Sequence, residues 1–160
     1  MTISKDVPIL RYGTPDGHQS DQKPVKGSAS LYAGTVVTTA NGYVTGSNDA
    51  VASTDIVWGV FNGIVDSNPM VSSPVTAGTT DGSIVIGIDT GTFFLASGTN
   101  SDALTQADVG ATVYLIDKVT VGKTNGGSTR PVAGKLIAVD TTQTPSYAVR
   151  LGNNQSSGDV

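Results

Sequence analysis

At 160 residues the chain is long enough for one domain with a real core and too short for two of ordinary size. Its formal charge of -4, with nine scattered Lys and Arg against 13 acidic residues, argues against a nucleic-acid partner, because binding to phosphates draws its affinity from clustered cations. The absence of Cys excludes a disulfide framework, a thiolate nucleophile and a Cys-ligated metal.

All 13 acidic residues are Asp, and Val (20) outnumbers Leu (7), with Thr, Ser and Gly supplying much of the rest. This is the composition of strands and turns, poor in the straight-chain residues that favour helices. The opening MTISKDVPIL has no apolar core flanked by a basic start and a small-residue cleavage site. The longest largely apolar stretch, IVWGVFNGIV at 56–65, is too short to span a bilayer. The expectation is a soluble protein made in a cytoplasm, with no membrane partner.

Residues 1–27 read as an extended N-terminal arm. Three of the seven prolines (Pro8, Pro15, Pro24) fall here among charges, Gly and Gln, with no sustained helical or strand period. Ile3, Val7, Ile9, Leu10 and Tyr12 give its first dozen residues an apolar content that suits a segment lying on another surface, so these five are the candidate partner-binding residues. A disordered terminus is the alternative. His18, the only histidine, also stands here, away from any predicted strand. A catalytic relay or a zinc site would need its imidazole on a rigid scaffold, so it is assigned no chemistry.

From Ser28 to Gly152 short β-rich runs alternate with turn signals: SLYAGTVVTT, YVT, IVWGVFNGIV, PMVSSPV, GSIVIGI, TFFLAS, ATVYLID, KVTV, PVAGKLIAVD and SYAVRLG. Eight or so strands at this spacing predict an all-β fold, a single compact antiparallel β-sandwich or barrel over 28–152. Trp58 and Phe61, three apart in the most apolar run, face opposite ways if that strand is regular and the same way if it bulges at Gly59.

IVIGIDTGTFF, at 84–94, ends a β-branched run in Asp-Thr-Gly, the way retropepsin-type aspartic proteases present a catalytic carboxylate. A single such motif can work in a homodimer, where two Asp share one proton around a water. GKTNGG (122–127) would then pass for a flap, and VRLG (149–152) for the supporting strand. The other reading is a strand-end turn in a hairpin corner, with the Asp89 carboxylate capping backbone amides and Gly91 supplying a positive φ. The turn accounts for every residue. Retropepsins follow the supporting Gly with a helix and a dimer-forming strand, where only NNQSSGDV remains here, so no catalytic residue is assigned.

In ALTQADVGATVYL, Thr105, Asp108 and Gly110 enclose about one helical turn, with a cap-like start and a left-handed stop. Gly122-Lys123-Thr124 looks like the end of a phosphate-binding loop. The Gly expected five residues earlier is instead Asp117, and the next residues make a Gly-rich turn in place of a helix, which leaves a surface turn. Asp102 and Asp108 fit no EF-hand spacing. No metal and no cofactor are expected, and residues 153–160 read as a flexible polar tail.

From Gly34 through Leu151 the chain resembles the small decoration, or cement, proteins of tailed-bacteriophage capsids. The resemblance is carried by AGTVVTTANGYVT, WGVFNGIV, DTGTFFLASG, ALTQADVGATVYLID, VAGKLIAVD and AVRL, in that order. It implies a structural virion protein, not an enzyme, bound in many copies to the outer surface of the head through the major capsid protein. A negative charge suits the outside of a head filled with DNA. The implied self-association is a trimer, alternatively a dimer. Two readings from other classes are a homodimeric retropepsin-like protease using Asp89 and a module binding receptors or glycans.

Overall fold

The computed structural model describes residues 2–9 and 20–152. Leu10, Tyr12, His18 and the tail at 153–160 lie outside the described residues. In chain order the strands are β1 (Ser20–Pro24), β2 (Ser30–Leu31), β3 (Val36–Ala40), β4 (Tyr43–Val44) and the long β5 (Ile56–Val65). Then come β6 (Asn68–Pro69), β7 (Val75–Thr76), β8 (Val85–Asp89) and β9 (Thr92–Ser97). Two 3-10 turns, Asn100–Asp102 and Gln106–Asp108, lead to β10 (Thr112–Asp117), β11 (Thr120–Gly122), β12 (Val132–Val139) and β13 (Tyr147–Leu151). The fold is all-β, and no α-helix occurs among the described residues.

The strands sort into two lobes, beside which β2 and β7 pair in a two-stranded sheet of their own. In the first, β1-β8-β5-β3-β4 form one antiparallel sheet, with β6 added to β5. This sheet curls until its ends meet, where Val25 bridges Val44 and Lys26 N–H donates to the Val44 carbonyl at 2.9 Å. In the second, β10-β11-β9-β13-β12 close into a barrel. Its one parallel pair, β11 with β9, arises because both 3-10 turns and β10 intervene between those strands. The second 3-10 turn is the helical turn expected from the sequence: Asp108 accepts from Thr105 N–H at 2.8 Å and from the Thr105 hydroxyl at 3.1 Å.

Part of the segment read as an arm is a strand. Residues 20–24, placed in the arm by the sequence, pair with β8 from Ser20 opposite Asp89 to Pro24 opposite Val85. SDQKP carries no apolar alternation because it is a rim strand with little core to face. Pro24 sits at its last position, where a missing N–H costs no ladder bond.

Strand β5 serves both lobes, and a bulge makes this possible. Val37 lies opposite Gly59 and Thr38 opposite Val57, so Trp58 is an extra residue with no partner across the pair. The insertion restores phase, and residues three apart point the same way. Val57 and Val60 enter the barrel core with Phe93, Leu115, Leu136 and Val149, while Phe61 and Trp58 pack into the first lobe with Val37, Ile86 and Ile88. Of the two arrangements open to Trp58 and Phe61, the shared face is the one adopted, with the bulge at Trp58 itself. Gly59 cannot be larger, since a Cβ there would stand 2.2 Å from the Asp89 carbonyl oxygen.

A polar seam joins the lobes beside this shared core. Lys118, in the turn between β10 and β11, is 1% exposed. Its Nζ donates to Thr45 Oγ1 at 3.0 Å and to the Gly46 carbonyl at 2.9 Å. The Thr45 and Thr38 hydroxyls are 2.9 Å apart, and Val36 N–H donates to the Lys118 carbonyl at 2.8 Å. Burial lowers the Lys118 pKa from 10.5 to about 8, against the opposing pull of Asp49 and Asp55.

A folded pKa below the unfolded one means that the unfolded chain binds this proton more tightly between about pH 8 and 10.5. Lys118 therefore opposes folding most below pH 8, and its penalty shrinks as pH rises through that window. We expect denaturant titrations to show wild type gaining about 3 kcal/mol relative to Lys118→Met between the two ends of the window. A difference that stays flat with pH would contradict the assignment.

Candidate functional site

Of the five candidate partner-binding residues, Ile3, Val7 and Ile9 are described, and they lie along one seat on their own body. Ile3 is 7% exposed. Its backbone is gripped at both ends by one side chain: Ile3 N–H donates to Asn48 Oδ1 at 2.7 Å, and Asn48 Nδ2 donates to the Ile3 carbonyl at 3.1 Å. Val7 N–H donates to the Ala33 carbonyl at 2.7 Å. Asp6 Oδ1 accepts from Ala33 N–H at 3.0 Å and from the Ser73 hydroxyl at 2.6 Å. Ile9 packs against the barrel core.

Gly34 is required for this seat. Its φ is +86°, and a Cβ there would stand 1.6 Å from the Val7 carbonyl oxygen, so only glycine lets the segment lie this close. Past Val7 the surface opens into an apolar cavity of about 570 Å³ between residues 7–9, β9 and the loop at 144–147, walled by Val60, Phe93, Leu95, Val119 and Tyr147. The seat thus combines backbone capture at one end with an apolar trough at the other. That is what an extended, Pro-interrupted segment can use, because its own backbone has no partner strand. Asn48, Ala33, Gly34 and Ser73 were not legible as a site, since an Asn in a GSND turn and a Gly after Tyr-Ala look like ordinary turn residues.

Asp89 ends β8, and Thr90-Gly91 carries the chain from the sheet into the barrel, so the corner joins two lobes and is not a hairpin. Gly91 has the positive φ expected of it, +130°. The Asp89 Oδ1 accepts from Asn62 Nδ2 at 3.0 Å. The first three residues of VRLG lie in β13, where Val149 pairs with Phe93 and Arg150 with Thr92, beside the strand that comes after the Asp-Thr-Gly corner.

The GKTNGG stretch is the surface turn the sequence suggests, pinned by the two carboxylates considered as cation ligands. Asp102 Oδ1 accepts from the Thr124 hydroxyl at 2.7 Å and from Arg130 Nη1 at 2.9 Å, and these two groups hold its carboxyl below the usual range. Asp108 is held low by Thr105 N–H first and then by Lys123, whose Nζ lies 3.1 Å from its Oδ1. Among the described residues no group of three His, Cys, Asp or Glu could hold a metal ion, and no helix is long and apolar enough to cross a membrane.

Compared with protein-family models, curated proteins and solved structures, the chain finds no match.

Asn48→Ala removes both bonds to Ile3 while leaving the β lobes untouched. At about 1 kcal/mol per bond, opening of residues 2–9 should become roughly tenfold or more frequent. Lys5 is exposed within that segment, so trypsin cleavage after Lys5 should accelerate by that factor at an unchanged unfolding midpoint. Equal cleavage rates would mean that Asn48 does not hold the segment.

Proposed function

We propose that this chain is a structural virion protein that decorates and reinforces the outer surface of a tailed-bacteriophage head by binding the major capsid protein. The observation that carries the reading is where the resembling segments fall. DTGTFFLASG contributes β9, ALTQADVGATVYLID the capped turn and β10, VAGKLIAVD β12 and AVRL most of β13. Four separately recognised motifs thus become adjacent strands of one closed barrel. Such a barrel exposes no strand edge and holds its core through strands distant in sequence, which suits a body that must transmit load without pairing indiscriminately. The formal charge of -4 suits the outer face of a shell around DNA.

The N-terminal segment acts as a strap between subunits. Each large apolar side chain it buries contributes about 1.5 to 3 kcal/mol relative to leaving it in water, and because Ile3 and Ile9 already have cover on their own body, a neighbour gains the segment only by offering equal or better cover. A strap of this length is therefore effective only when the body is docked beside its target. Because the barrel has no free strand edge, self-association of that lobe as a trimer, alternatively a dimer, would rest on its faces and on this segment.

The test is addition of purified protein to expanded heads assembled from the major capsid protein of the same virus and stripped of decoration. A capsid reconstruction should show ordered density on the outer surface only, and the decorated heads should resist heat better than bare ones. Heads that emerge bare at saturating protein would overturn the reading.

Asp89→Asn separates this function from the protease alternative. The amide can still accept from Asn62, so the variant should lose about 1 kcal/mol or less of stability and decorate heads like the parent. Peptide cleavage with an acid optimum in the parent, abolished by this change, would instead establish the enzyme.

A further inference from the structure

We propose that the seat of residues 2–9 also receives the same segment from a second copy of this chain, so that copies associate by exchanging their N-terminal segments. The proposal rests on the strap reading only in taking the segment to act between subunits, and it names the neighbour that receives it.

The contacts themselves are indifferent to chain identity. Ile3 is held by Asn48, Val7 by Ala33, and Asp6 by Ala33 and Ser73, partners that are 26 to 67 positions away in sequence. Each bond is made to a residue outside the segment, so the same groups are on offer whichever copy supplies it. The seat reads this segment through two of its side chains, the buried Ile3 and Asp6, whose carboxylate accepts from Ala33 N–H and the Ser73 hydroxyl, while Gly34 and Asn48 meet backbone groups. A second copy is the one partner certain to present that match.

The connection is long enough. Ten residues, with Gly13, Pro15 and Gly17 among them, separate Ile9 from Ser20. Fully extended, they span about 35 to 40 Å. A globule of this size has a radius of gyration of about 15 Å, so the reach is comparable to its diameter. Exchange also needs no new surface, since it reuses the seat each copy already carries, and the barrel lobe is closed to strand addition. Since cis and trans seats make the same contacts, concentration decides between them, and a crowded arrangement of copies favours exchange.

The experiment uses the unmodified full chain, without heads. Equal amounts of isotope-labelled and unlabelled protein are refolded together, and isotope-filtered NMR at millimolar concentration is searched for contacts between Ile3 of one chain and Ala33 or Asn48 of the other. Interchain contacts are expected, with the sedimenting mass rising toward two or three times that of one chain as concentration increases a hundredfold. Complementary variants give a second readout: Ile3→Asp has an open seat but a spoiled segment, Asn48→Ala a sound segment but a weakened seat. Each alone should stay monomeric, and their mixture should form a heterodimer. Filtered spectra showing Ile3 contacts only within its own chain, and a mixture that sediments as two monomers, would overturn the proposal. Because no head is present, that failure would leave capsid binding as it stood, and a failure to decorate heads would leave the exchange as it stood.

Discussion

One strand has to face two cores, and most of the architecture depends on how β5 manages it. A regular strand sends residues three apart to opposite faces, so Val57 and Val60 could not both enter the barrel, nor Trp58 and Phe61 both enter the other lobe. The single extra residue at Trp58 solves both problems at once. The bulge in turn brings the Gly59 backbone against the Asp89 carbonyl, at the point where the chain leaves β8 for the barrel. Trp58 is stabilised where it emerges, with its indole N–H donating to Thr39 Oγ1 at 2.8 Å and the Lys23 ammonium 4.2 Å from its ring centroid.

The seam beside β5 trades stability for position. A buried ammonium is costly even with good acceptors, and hydrophobic replacement of such groups is often tolerated. What Lys118 contributes is a directional link: its two bonds fix the 45–46 corner of the first lobe against the β10–β11 turn of the barrel. Four buried hydroxyls of the same region are bonded in two pairs, Thr38 with Thr45 and Thr35 with Ser47, and no buried side-chain polar atom among the described residues lacks a partner. Apolar packing alone would let the lobes slide, whereas a satisfied polar network accepts few geometries.

The seat of the N-terminal segment draws on the same framework. Ala33 and Gly34 stand just before β3, and Gly34 N–H donates to the Phe61 carbonyl at 2.8 Å, so the seat is tied directly to β5. Asn48 belongs to the loop that Lys118 anchors. A segment docked on such a surface meets preorganised partners, which lowers the ordering cost that otherwise opposes strap binding. The proposed role in head decoration uses this feature: a rigid body presents the seat, and a short peptide makes the connection.

The sequence by itself determined the fold class, because Val- and Thr-rich runs between turn signals carry strand propensity and alternation locally. It also determined the capped turn at 105–108 and the positive φ of Gly91, since caps and turns are written within a few residues. It did not determine that the strands form two lobes. Which strands pair depends on contacts between distant segments, as when β9 takes both β11 and β13 for neighbours, and no local pattern encodes them. β1 escaped notice because a polar rim strand has no buried face to mark it. The phase of Trp58 and Phe61 stayed open because a bulge is a property of the pair β3–β5, not of β5 alone. Ile3, Val7 and Ile9 were legible as apolar residues in search of cover. Only the tertiary structure decided where that cover lies, because Asn48, Gly34 and Ser73 become a seat solely through the folding that brings them together.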